Sequence, residues 1–152
     1  MSQPFTFDTT SPRFALPLLF AGQSQKEIFV NEAHSLTDAL LHCSIEGSST
    51  APPATPSEGE NWLVGSAATG EWENQDGAIA CRQAGNWLFV APRDGMRIFD
   101  RSKAQLLLYD GDWNAPAVPA SPSGGTTIDV EARAAIDALF AALRVAGIFP
   151  ES

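Results

Sequence analysis

The sequence predicts an α+β protein: a small antiparallel β meander or barrel-like domain between an N-terminal helix and a C-terminal helix able to oligomerise. Three observations predict it. Apolar residues recur at helical spacing over 29–40 and again over 132–146. Between these stretches lie short apolar runs punctuated by Thr-Gly, Asp-Gly and Gly-Asn turn pairs. Two stretches rich in small residues and proline, 48–60 and 114–125, separate the textures.

Residues 1–22 read as an extended N-terminal arm. Met1–Arg13 is polar and carries Pro4 and Pro12. Phe14–Gly22 is apolar, but Pro17 keeps it out of a helix. Residues 23–114 read as a helix followed by the meander. Ser24 and Glu27 have capping-box spacing. Phe29, Ala33, Leu36 and Leu40 form the expected core-facing stripe, with Leu41 beside them and Glu32, Ser35 and Asp38 on the other faces. This helix is expected to end near His42.

Beyond the Pro52, Pro53 and Pro56 loop, the expected strands are Asn61–Val64, Ala78–Arg82, Asn86–Ala91, Met96–Arg101 and Gln105–Asp110. Glycine supplies the positive φ that tight hairpin turns need, and Asp or Asn tolerates it. Asn61-Trp62-Leu63-Val64 echoes Asn86-Trp87-Leu88-Phe89-Val90, as two hairpin strands solving one packing problem rather than a repeat array.

Residues 115–127 read as a linker and 128–152 as a C-terminal helix, capped by Thr126 with Asp129. Ala132, Ile136, Leu139, Leu143 and Ala146 are spaced four, three, four and three apart, which is the seam spacing of a coiled coil. Gly147 and Pro150 end the helix. The flexible linker and the seam argue for self-association over packing on the same chain. Alanine at two seam positions makes a narrow coil, so the β domain would have to contribute to any oligomer.

The chain's 152 residues make one ordinary domain, and 44% hydrophobic content supports a core. Nine Lys and Arg against 18 Asp and Glu give 9 − 18 = −9. That charge argues against nucleic acid and anionic membrane surfaces as partners. Phe14–Gly22 falls far short of the ~20 residues a bilayer span takes. No secretory signal is read, so synthesis and retention in the cytoplasm until assembly or release is expected. Cys43 and Cys81 are expected to be buried reduced thiols, although sequence leaves their pairing open.

Chemistry-bearing motifs are sparse. His34 and His42 are eight apart, wider than the spacing of four that helical metal ligation uses. Cys43 adjoins His42, but neighbours on a helix do not face each other. Glu58, Glu60, Glu71, Glu73, Asp76, Asp94, Asp100, Asp110 and Asp112 offer no reason to choose a glycosidase pair. Asp110, Asp112 and Asn114 resemble the start of a calcium loop without its distal glutamate. No catalytic residue, cofactor or metal site is therefore expected. Trp62 and Trp87 sit in strand-like runs and are expected in the core. Trp72 and Trp113 lie near turns beside polar residues, where a ring can cover the apolar face of a sugar. With Tyr109 they are the candidate carbohydrate-binding residues; the favoured alternative has such tryptophans plugging hairpin ends.

The order Ala15-Leu16-Pro17-Leu18-Leu19, Ala21-Gly22-Gln23-Ser24-Gln25-Lys26-Glu27, Asn31-Glu32-Ala33 and Asp38-Ala39-Leu40 resembles a family of unknown function found in prophages and gene transfer agents. Trp62-Leu63-Val64-Gly65, Ala68-Thr69-Gly70 with Trp72, and Trp87, Phe89, Pro92 and Gly95 continue the resemblance, which spans Ala15 to Trp113. Ser24 in place of alanine and His34-Ser35 are its departures. The resemblance implies a particle structural component, of head-spike or tail-fibre type, in a virion or phage-like particle. It implies sister chains, other particle proteins (capsid or fibre) and host surface polysaccharide as partners. It carries over no catalytic residue.

Overall fold

A computed structural model describes residues 10–20, 22 and 26–151. The chain divides into two compact units, one ending at Pro92 and one beginning at Arg93. The fold is α+β, with no closed barrel.

The first unit contains α1 (Glu27–Leu40), β1 (Ser44–Ile45), β2 (Ser48–Ser49), β3 (Asn61–Val64), β4 (Ile79–Gln83) and β5 (Asn86–Val90). Strands β2 to β5 form one sheet in sequence order. β2 runs parallel to β3, pairing Ser48 with Leu63 and Ser49 with Val64. The other pairs are antiparallel, with Asn61 opposite Cys81 and Arg82 opposite Trp87. Ala84 and Gly85 make the β4–β5 turn, both at positive φ (48° and 74°), as a two-residue hairpin with this twist requires. Trp72, in a 3-10 turn over Gly70–Trp72, packs with Val64, Ala68 and Ala80. Trp62, Trp87 and Phe89 lie against that cluster.

Helix α1 overturns the expected orientation. Its buried residues are Asn31, Ser35, Asp38 and Ala39, whereas Phe29 is 77% exposed and Ile28 and Leu40 also face solvent. The cause is the irregular arm that precedes the helix. Main-chain polar groups outside sheets or helices need partners when covered, and the helix supplies them. Asn31 accepts from Leu19 N at 2.7 Å and donates to Leu19 O at 2.8 Å. The Asp38 carboxylate accepts from Arg13 N at 2.9 Å and Phe14 N at 2.7 Å. Arg13 reciprocates: its guanidinium donates to Asp38 O, Ala39 O and His42 O, satisfying carbonyls that the helix end would leave bare. Apolar side chains could make none of these bonds. The expected Ser24 cap lies outside the described residues; Lys26 stands at the N-cap without a side-chain bond, and the helix stops at Leu40 rather than His42.

The second unit contains β6 (Arg97–Asp100), β7 (Gln105–Tyr109), β8 (Trp113–Asn114) and α2 (Val130–Val145). β6 pairs antiparallel with β7, and β7 with β8. Asp100 closes the first turn by accepting from Ser102 N (2.9 Å) and Ser102 Oγ (2.6 Å). The expected strands are all present within one or two residues at their ends; β1, β2 and β8, two residues each, were not anticipated.

Replacing Asp38 with alanine strands two covered N–H groups. The expected loss is about 2–4 kcal/mol, read as a lower urea midpoint at unchanged slope.

Candidate functional site

The five seam residues lie on α2 or at its C-cap, Ala146. The helix starts later than the Thr126 cap predicts, because Asp129 is the N-cap and accepts from Ala132 N at 2.8 Å. At the other end Gly147 adopts φ 69°. Gly147 N donates to Arg144 O (2.8 Å) and Ile148 N to Leu143 O (2.9 Å), the paired bonds of a Schellman stop. That stop is moored to the β7 end of the hairpin. Leu106 N donates to Gly147 O at 2.6 Å, and Gln105 Nε2 donates to Ile148 O at 2.9 Å. A side chain at Gly147 would meet Phe99 at 3.3 Å. The segment before the helix adds two bonds: Ser121 Oγ donates to Asp137 at 3.0 Å, and Arg133 donates to Gly124 O. No residue of α2 is buried, and Leu139 in mid-seam is 55% exposed. Ile136 and Leu143 are half-buried, and Ala132 and Ala146 are exposed.

The three aromatic candidates separate. Trp72 is 0% exposed and meets Trp87 edge-on at 5.1 Å and 86°. Its face is unavailable to a sugar, so Trp72 leaves the carbohydrate set and belongs to the core. The fixed turn after Ala68 drives it inward: Asp76 accepts from Ala67 N (2.8 Å) and Ala68 N (3.0 Å). The backbone N–H groups of Ala68 and Ala67 hold the Asp76 carboxyl below its ordinary 3.8. Trp62 and Trp87, expected as core, are half-buried at the margin of that cluster. Arg82 lies over the Trp87 ring at 5.3 Å.

Tyr109 and Trp113 come together across β7 and β8, ring centroids 5.1 Å apart and tilted 66°. Both are half-buried, with exposed Asp110, Asp112 and Asn114 close in sequence. A groove of about 310 Å³ in the same unit is lined by Leu106, Leu107, Leu108, Pro116 and Ile148, with Arg97 and Asn114 as its polar members. Its lining suits an apolar side chain better than a sugar, which needs several directed polar partners.

Among the described residues, no three His, Cys, Asp or Glu side chains cluster as metal ligands would. None of the described helices is long and apolar enough to cross a membrane. His42 faces Phe14, ring centroids 6.2 Å apart. Cys43 and Cys81 are buried and free. Burial pushes the Cys43 thiol from its ordinary 9.0 up to about 11, with Arg13 opposing. Burial pushes Cys81 to about 12, Cys43 adding to the rise and Arg13 opposing it. Both are thus poor nucleophiles at neutral pH.

The folded chain holds these two protons where the unfolded chain releases them. Stability should therefore be full below pH about 9 and fall as pH rises towards the folded values. Urea midpoints measured across that range should drop, and the drop should shrink in the Cys43→Ala, Cys81→Ala double variant.

No curated protein matches the chain. Residues 30–114 match the profile of a family described as protein of unknown function (DUF2793). The match takes in most of α1, all eight strands and the Tyr109–Trp113 pair, and stops short of α2. With more than half of its length inside that match, the chain belongs to the DUF2793 family.

Proposed function

We propose that this protein is a non-catalytic structural component of a phage-like particle, at the base of a head spike or tail fibre, and that copies associate through α2. The observation that carries the assembly part is a 16-residue amphipathic helix with no buried residue. A lone helix of this length is marginal in water. Here it is well capped at both ends, yet Leu139 in mid-seam stays exposed and Ile136 and Leu143 are only half-buried. A sister helix covering that seam resolves the contradiction. The particle assignment draws on the motif order from Ala15 to Trp113 and on the family's resemblance to prophage and gene transfer agent proteins.

Point substitution tests this more cleanly than truncation, because Gln105 and Leu106 bond to the chain just beyond α2. Leu139→Glu changes an exposed side chain and should leave the fold intact. Light scattering after size exclusion should show a larger species for the wild type and a smaller one for L139E. A wild type and variant of equal mass would refute association through α2. Capsid, portal and tail genes beside the coding sequence would support the particle assignment, and metabolic neighbours would count against it.

A second reading is adhesion to host surface polysaccharide, favoured by the Tyr109–Trp113 pair. Replacing either ring with alanine should abolish binding on a glycan array if the pair is a sugar platform. Silence of the wild type on host capsular glycans would dispose of it.

A further inference from the structure

The outer edge of β5 takes no part in the readings above. β5 ends the sheet of β2 to β5, so only one of its sides meets another strand. Arg82 N donates to Glu60 O and Arg82 O accepts from Gly59 N, so the Arg82 main chain faces the β3 side. Main-chain groups alternate sides along an antiparallel strand. Arg82 stands opposite Trp87, and Ala80 opposite Phe89. Trp87 and Phe89 therefore turn their N–H and C=O groups away from β4, and no described residue bonds to them. Soluble proteins ordinarily guard such an edge with a lysine, a proline or a bulge. β5 reads Asn-Trp-Leu-Phe-Val and pairs with β4 without interruption, so it carries none of these.

We propose that this edge pairs with the same edge of a second copy, antiparallel about Leu88, joining the two sheets into one. Register selects the occupant. With the two-fold axis at Leu88, Trp87 of each copy stands opposite Phe89 of the other. Each such pair exchanges two main-chain bonds, so the outward groups of both residues are satisfied in both copies. Centring the axis on Trp87 or Phe89 leaves the other residue without a partner inside the strand. The same edge supplies both sides, as a two-fold interface requires.

Side chains agree. Trp87 and Phe89 both pack against the Trp72 cluster. Across the axis each ring would lie beside a ring of the other copy, and such cross-strand aromatic pairs stabilise a sheet. Leu88 would meet its own counterpart at a non-hydrogen-bonded position, where facing side chains are closest. The chain carries −9, but the stretch from Gln83 to Pro92 is uncharged. Two copies can meet there without opposing like charges. An unrelated extended peptide could take the same main-chain bonds; the two-fold match of the rings and of Leu88 favours the copy. The edge lies wholly in the first unit, and the pairing needs neither α2 nor the particle assignment.

The test uses the full chain carrying Leu139→Glu, so that association through α2 does not contribute. Light scattering at about 500 µM should show a dimer, at a concentration suited to a small interface. Adding Leu88→Lys or Leu88→Glu sets like charges across the axis and should give monomers with unchanged circular dichroism. Mixing L88K with L88E should restore the dimer, because each charge then faces its opposite. A monomeric L139E protein, a dimer that survives both substitutions, or a mixture that stays monomeric would overturn the proposal. Register is read by cross-linking, which also serves if a charge at position 88 spoils the fold. In a Cys43→Ala, Cys81→Ala background, Leu88→Cys with glutathione disulfide should give a covalent dimer, since facing Cα atoms about 4.5 Å apart can be bridged. Asn86→Cys should not, because the two copies of that position would sit roughly 13 Å apart along the strands. No cross-link from L88C, or an equal yield from N86C, would overturn the pairing. Slow amide exchange at Trp87 and Phe89 in a monomeric L139E protein would mean that the chain covers its own edge, and would overturn it too.

Discussion

A reciprocal exchange of hydrogen bonds between an irregular arm and a helix sets the terms for the first unit. Asp38 turns its carboxylate to the main-chain N–H groups of Arg13 and Phe14, and Arg13 turns its guanidinium to the main-chain carbonyls that end α1. Each partner satisfies groups that the other's local structure leaves open. An arm containing Pro12 and Pro17 cannot join a sheet fully, and a helix cannot satisfy its own last carbonyls. Asn31 extends the exchange by pairing with both polar groups of Leu19, as a neighbouring strand would.

Consequences run outward from that seam. With its polar side committed inward, α1 has its apolar side left for the surface. Asn61 adds a tie from β3, donating to Ala39 O and Ser44 O at 3.2 Å each. The helix end, β1 and the sheet are therefore linked through main-chain carbonyls more than through grease. The apolar core lies instead around Trp72, between the sheet and the 3-10 turn. The helix gains position from directed bonds, and the sheet gains stability from burial.

The second unit follows a different rule. There the C-terminal stop of the helix bonds to the β6–β7 hairpin through Gly147 and Ile148, Phe140 meets Phe149 edge-on at 6.0 Å, and Ser121 and Gly124 bond to Asp137 and Arg133 on the helix body. The body of α2 buries no residue fully. Both helices are oriented by polar bonds or a glycine stop. The two thiols of the first unit are held protonated by burial.

Much of the local structure was legible in the residues themselves. Turns at Asp76-Gly77 and Asp110-Gly111, the five longer strands and the α2 stop at Gly147 follow from short-range sterics and hydrogen bonding that depend on a few adjacent side chains. The α2 helix was readable for the same reason. What only the tertiary structure decided was which side of each pattern faces in. Helix α1 carries two stripes, Phe29-Ala33-Leu36-Leu40 and Asn31-Ser35-Asp38, and apolar periodicity favours burying the first. The polar stripe was buried because its partner is unpaired backbone, whose demand for hydrogen bonds leaves no trace in a hydropathy pattern. Trp72 shows the converse: its polar neighbours suggested the surface, and a turn fixed by Asp76 carried the ring into the core. Local spacing determines what a segment forms, while the partner across space determines what it hides.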